Sequence, residues 1–306
     1  MKGDLFSSKF RTIWICCAFC LVCAAMIKPV QDRMQERIIN RGPDPDLLYF
    51  NSPAAVQKMA LGYDSLLAHL YWIRTIQYYG RRDEAAKRTI RYKNLARLLD
   101  ITTTLNPDLI DAYRSGCYFL AEPDPLGAGQ PQEAIRLLDK GIRAHPQEWR
   151  LLYDKGFMYY WFLTDFKTAG EVWQSAARLP EAPPWMEGLG AMAFSKGGKL
   201  DVAISIWQRQ LRESNQAFIR ENAKNHLMSV QVLREIRALE ALVAEYKQKF
   251  GTFPPSLPDL VRGHSGKYSL LDPLGTPYLY DPSTGAVRLS PESKVKYLEI
   301  PEIYRE

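Results

Sequence analysis

The chain has 306 residues, 46% hydrophobic and 24% charged, with a formal charge of +6. That balance belongs to a folded chain and excludes a disordered one, leaving room for one elongated body or two small domains. The basic excess is scattered, with Arg81-Arg82 a short pair rather than a block, so nucleic acid is not an expected partner.

The first element is ICCAFCLVCAAM at 15–26, which spaces Cys17, Cys20 and Cys23 like the start of an iron–sulfur ligand run. Cluster ligands need a polar, loop-like chain able to wrap the metal and a fourth ligand nearby. Thr12 to Ile27 carries no charge, is bounded by Arg11 and Lys28, and holds Trp14 near one end. An uncharged thiol in such surroundings is a small apolar group, so the stretch reads as hydrocarbon. About 16 apolar residues span about 24 Å against about 30 Å of bilayer core, and snorkelling of Arg11 and Lys28 makes up the difference. The expectation is an N-terminal tail at 1–11 and an uncleaved transmembrane helix at 12–30, with a cleaved signal peptide as the rival. Lysines and arginines flank both ends. A short charged tail stays in the cytoplasm, which predicts a single-pass inner-membrane protein with its main body outside, in the periplasm. Pro29, Gly42, Pro43, Pro45 and Pro53 mark a linker over 31–52.

Internal similarity begins after the linker. EAIRLLDKGIRAHP (133–146), KTAGEVWQSAARLP (167–180) and DVAISIWQRQ (201–210) superpose, aligning Ala134, Ala169 and Ala203, then Leu138, Trp173 and Trp207. Between them LLYDKGFMYYWF (151–162) and WMEGLGAMAFSK (185–196) align Gly156 with Gly190, so each unit is a helix pair of about 34 residues. Upstream, RYKNLARLLDITTTLNP (91–107) and DLIDAYRSGCYFLAE (108–122) extend the series, and Ala68 and Trp72 in 61–80 match the spacing of Ala169 and Trp173. Gly156, Tyr159, Ala169, Trp173 and Pro180 resemble the tetratricopeptide (TPR) pattern. The resemblance covers about residues 53–214, and implies a mainly α chain built as a solenoid of about four helix pairs. Departures are the missing proline after Gln210 and a Pro- and Gly-rich loop at 123–131.

In arrays of this kind a partner is held on the concave surface lined by the first helix of each pair. In 149–162 that face is expected to carry Arg150, Tyr153, Phe157, Tyr160 and Trp161, with Tyr113, Cys117 and Leu120 upstream. The expected protein-binding set is Tyr113, Arg150, Tyr153, Phe157, Tyr160 and Trp161. An aromatic face suits a protein partner presenting an apolar or extended peptide segment. The competing reading makes these rings core, packed on the next repeat.

Residues 215–250 carry Val230, Val232, Leu233, Ile236, Leu239, Leu242, Val243 and Tyr246 at helical spacing, predicting a long capping helix ended by Gly251. The remainder, 251–306, is a turn-rich module in which Tyr278–Asp281 and Ala286–Leu289 flank Pro282-Ser283-Thr284-Gly285, a β-hairpin signal. Asp272, Pro273, Gly275, Pro277 and Tyr278, after a helix and a G-x-F-P stretch, resemble the carboxyl-terminal part of type II secretion pseudopilins over about 236–290. No prepilin cleavage site accompanies it, and the repeats interrupt the helix a pseudopilin would continue from its anchor. The resemblance implies an assembly role in a pilus or secretion system as the alternative function, and calcium ligation by Asp272 or Asp281 as a minor one.

Nothing in the pattern recommends catalysis. His69, His145, His226 and His264 are scattered, no HExxH occurs, and Cys117 has no histidine near it in sequence. His69, in an apolar helix, is expected to be packed. Gly127-Ala128-Gly129 precedes Gln130-Pro131 rather than a lysine and a helix start, so no phosphate cradle forms. No cofactor and no metal are expected. The sequence thus predicts a membrane-anchored, non-catalytic scaffold, with pilus or secretion assembly as the alternative and an enzyme as a distant third.

Overall fold

The computed structural model describes residue 14 and residues 25–29, 32–33, 52–80, 92–262 and 267–296. The chain divides into two units, Met1–Asn51 and Ser52–Glu306. In the first, residues 25–29 and 32–33 are helical and exposed; most of the expected anchor over 12–30 and of the linker over 31–52 lies outside the described residues. Among those described, no helix is long and apolar enough to cross a membrane.

The second unit is mainly helical. Its elements are α1 (Pro53–Met59), α2 (Asp64–Tyr79), α3 (Leu95–Leu105), α4 (Ile110–Ala121), α5 (Pro131–Ala144), α6 (Trp149–Phe157), α7 (Phe166–Ala176), α8 (Met186–Lys196), α9 (Leu200–Glu213), α10 (Ala217–Phe250) and α11 (Leu257–Val261). Two short strands follow, β1 (Leu279–Tyr280) and β2 (Val287–Arg288). Local chemistry sets the boundaries. Proline opens α1 and α5, where its missing N–H costs nothing, and Asp165 caps α7 by accepting from the Thr168 N–H at 3.0 Å. Gly251 ends α10 in the left-handed conformation at φ 74°, which a side chain would resist.

Consecutive helices pack as pairs: α2 on α3, α4 on α5, α6 on α7, α8 on α9, with α9 then covered by α10. The succession is compatible with an α-solenoid. Residues aligned by the internal repeat occupy equivalent places, since Ala134, Ala169, Ala203 and Leu138 are fully buried and Trp173 and Trp207 nearly so. In the pair α6 and α7 a small residue on the first helix admits the large one on the second. A Cβ at Gly156 would lie 2.3 Å from Trp173 Nε1, so glycine is what lets the indole lie against α6. One alignment shifts: Ala68 and Trp72 have the spacing of second helices, whereas α2 stands first, paired with α3. Ala68 is the small residue there, fully buried against Ile101 and Leu105.

The 34 residues of α10, about 51 Å at 1.5 Å each, serve two cores. Its first half brings Ala223 and Val230 to Phe194, Ile206 and Trp207 of α8 and α9. Its second half presents Val232, Ile236, Leu239, Leu242 and Val243 to Leu257, Leu260, Tyr278 and Val287 of the terminal module. The expected hairpin is present, antiparallel, with Leu279 opposite Arg288 and Tyr280 opposite Val287. It is tied to the helices by Tyr278, whose hydroxyl donates to Glu235 Oε2 at 2.6 Å.

Candidate protein-binding face

The first helices α2, α4 and α6 carry a row of rings. On α4 the successive residues Tyr118 and Phe119 point to its two flanks. Phe119 stacks on Tyr79 at 3.9 Å and on Trp72 at 6.1 Å, both from α2. Tyr118 meets Phe157 of α6 at 5.7 Å. Phe157 in turn stacks on Trp161 at 6.1 Å and 12°, and Trp161 is 66% exposed. Trp161 stands on a single π-helical turn, Met158–Phe162, which continues α6 and ends at Leu163, whose N–H donates to Met158 O at 3.2 Å. An extra residue per turn rotates the following side chains relative to an α-helix.

Beneath this row lies a polar tether. Asp154 is fully buried, its Oδ2 accepting from Arg114 Nε at 2.8 Å and its Oδ1 from the Tyr118 hydroxyl at 3.0 Å. Burial pushes the Asp154 carboxyl above its ordinary range, opposed by the hydrogen bond and charge of Arg114. Burial likewise raises the Tyr118 phenol, helped by the Asp154 charge beside it. The pair thus fixes the angle at which α4 presents Tyr118 to α6. A charge removed from water is stable there only because both carboxylate oxygens are bonded.

The expected binding set divides. Phe157 and Trp161 belong to the row just described. Tyr153 and Tyr160 belong to a second ring cluster: Tyr153 lies 5.8 Å from Trp185 and 6.5 Å from Trp173, and Tyr160 5.5 Å from Trp173. Both are half-buried, and the Tyr153 carbonyl accepts from Trp173 Nε1 at 3.0 Å. Arg150 is exposed, paired to Glu148 at 3.0 Å and lying 5.1 Å over the Trp149 ring. Tyr113 is corrected outright. It is fully buried, its hydroxyl donates to Thr103 O at 3.3 Å, and burial raises its phenol to about 12, so it is packing between α3, α4 and α5 and meets no partner. The reason is geometric: Gly141 of α5 leaves room only for that ring, a Cβ there lying 2.9 Å from Tyr113 Cδ1.

Trp72, Tyr118, Phe119, Arg114 and Asp154 were not in the expected set. Asp154 carried a usable signal, a carboxylate three residues before Phe157 on an otherwise apolar face, and Arg114 and Tyr118 share a face at i, i+4. Phe119 carried none, since contact with α2 depends on how pairs stack. His69 is exposed rather than packed, with Nδ1 2.6 Å from Ser65 O.

Chemically the face offers stacking surface over a fixed ion pair. Cys117, buried beside it, has its thiol pushed well up by burial, the wrong direction for a nucleophile. Among the described residues no group of three or more His, Cys, Asp and Glu could hold a metal ion. Asp272, considered as a calcium ligand, spends Oδ1 on the N–H groups of Leu274 at 2.8 Å and Thr276 at 2.9 Å and bonds Ser293 through Oδ2. Burial works against ionisation of Asp272, and these bonds outweigh it and hold the carboxyl below its ordinary value. Comparison with known protein families, with curated proteins and with solved structures returns no match for this chain.

Proposed function

We propose that the chain is a membrane-anchored, non-catalytic TPR-like scaffold that holds a segment of a protein partner against the row Phe119, Tyr118, Phe157 and Trp161. The observation that carries this reading is Trp161: a large ring, stacked on Phe157 and yet 66% exposed, at the end of a row built by consecutive first helices. Exposed aromatic anchors beside apolar rings are the side chains that dominate protein–protein binding energy. The anchor of this reading is the stretch 12–30, uncharged from Thr12 to Ile27, which puts the repeats on the far side of the inner membrane. The test is capture of a partner by chains carrying Trp161→Ala or Phe157→Ala. Loss of capture with unchanged melting supports the reading; undiminished capture removes the face from it.

A second reading, a component of pilus or secretion assembly, is favoured by the terminal module, where the Asp272 turn packs Tyr278 and Val287 onto the second half of α10. Co-purification with a pilin or secretion platform, abolished by removal of residues 251–306, separates it from the first.

A further inference from the structure

The first helices of the array keep an apolar outer face. In 52–80 the charged residues are Lys58, Asp64 and Arg74, and of these only Lys58 is exposed, while Asp64 Oδ1 is buried. Leu66, Leu70, Ile73 and Ile76 of α2 are instead each at least 44% exposed. Positions 66, 70 and 73 form one stripe, because residues three and four apart are neighbours on a helix, and exposed Tyr63 stands in line with it, three residues before Leu66. The turn that leads into the stripe is apolar too. Leu61 there is 85% exposed and held at φ 49°, a left-handed backbone that bulky residues seldom adopt, beside Gly62 at φ 88°. The turn therefore carries a large apolar side chain clear of the fold.

The end repeats of a solenoid meet water and need a polar outer face. At the opposite end α10 follows that rule, with Glu221, Lys224, Arg234 and Glu240 exposed. α2 does not. Its buried residues Ala68, Thr75 and Tyr78 lie on the other side of the helix, toward α3, on which α2 chiefly packs among the described residues. A helix apolar on both sides has the character of one covered on both sides.

Three observations select a lipid surface as the second cover. No acidic residue of 52–80 is exposed and Lys58 is, which suits anionic headgroups and sets no like charge against them. Tyr63 and the wedge of Leu61 are an amphipathic ring and an apolar side chain of the kinds that enter the headgroup and acyl boundary, where no matching pocket is needed. Residues 29–51 separate Lys28 from this end of the array and reach at most about 80 Å even fully extended, so α1 and α2 cannot leave the neighbourhood of a bilayer that holds 12–30. We propose that the outer face of α1 and α2, carried by Leu61, Tyr63, Leu66, Leu70 and Ile73, docks on the surface of the bilayer. The choice of lipid as occupant rests on the anchor reading. Trp72 lies about 200° round the helix from Leu70, so docking leaves the aromatic row turned away from lipid and open to a partner.

The test places a fluorescent amino acid singly at position 20, 70 or 143 of the full chain, in nanodiscs of phosphatidylethanolamine and phosphatidylglycerol brominated on the upper acyl chain. Seated about 5–10 Å into the headgroup and acyl boundary, position 70 is expected to lose about half its emission, and position 143 none. Leu61→Asp with Leu66→Asp should return position 70 to the level of position 143 with melting unchanged, both residues being exposed. Quenching at 20 without quenching at 70 overturns the proposal and leaves the anchor standing. Quenching at 70 without quenching at 20 keeps the docked face and removes the anchor, and quenching at neither overturns both. Quenching at 70 that survives the double variant also overturns the proposal. So does a benzophenone amino acid at position 66 that joins a second copy, another protein or residues 34–51 of the same chain in place of lipid.

Discussion

Gly156→Ala is the sharpest test of how the helix pairs fit. The new Cβ would lie 2.3 Å from Trp173 Nε1 and 2.5 Å from its Cδ1, well inside contact distance. The indole cannot simply swing away, because it is 2% exposed and its N–H is held by Tyr153 O at 3.0 Å. Overpacking of this kind costs about 1–3 kcal/mol, and weakening the buried hydrogen bond adds about 1 kcal/mol. Better helix propensity returns about 1 kcal/mol, leaving a net loss of about 1–3 kcal/mol. For a domain of this size that is a fall in Tm of roughly 2–12 °C. Gly188→Ala is the internal control, since its Cβ would meet nothing nearer than Gln210 Oε1 at 3.6 Å, an ordinary contact. That variant should be neutral or stabilised by up to about 1 kcal/mol. Thermal unfolding followed by far-UV circular dichroism reads both. Equal melting of the two variants, or greater damage from Gly188→Ala, would refute the claim that glycine at 156 exists to admit Trp173.

Tyr278→Phe should loosen the terminal module by about 1.5–3 kcal/mol through loss of the bond to the Glu235 carboxylate, seen as faster hydrogen exchange over 278–288 with little change in α2 to α7. For Asp154, whose folded carboxyl lies above its unfolded value, the associated stability is present in full below about pH 4 and is lost as pH rises through the folded pKa. Comparison of urea midpoints should therefore show the unaltered chain losing ground to Asp154→Asn as pH rises, and a constant gap would disprove the assignment. Asp281 behaves oppositely: hydrogen bonds from Ser283 and Thr284 lower it to about 2, so its contribution is present above about pH 4 and lost as pH falls toward 2. The stability difference between the unaltered chain and Asp281→Ala should close over that interval.

The helical body was legible because each unit repeats one solution to one packing problem. Ala134, Ala169 and Ala203 had to be small for the same reason, and periodicity exposed that reason without coordinates. The hairpin was legible from Pro282 to Gly285, where turn chemistry is local. The aromatic row was legible only in part. Phe157 and Trp161 sit on one helix, and their relation is fixed by helical spacing, whereas Phe119 with Tyr79, or Asp154 with Arg114, meet across helices. The same gap misplaced Tyr113, whose spacing is that of a groove residue but whose ring fills the space above Gly141. Tyr153 and Tyr160 both turn to Trp173, which comes from α7 across the helix pair, a contact that spacing along one helix does not encode.

The scaffold reading is tested most directly by photocrosslinking in intact membranes from position 161, with position 143, exposed on α5, as the control. The account predicts one discrete protein adduct from position 161, abolished by Phe157→Ala, and none from position 143. Equal labelling from the two positions, or an adduct that survives loss of the Phe157 ring, would contradict it.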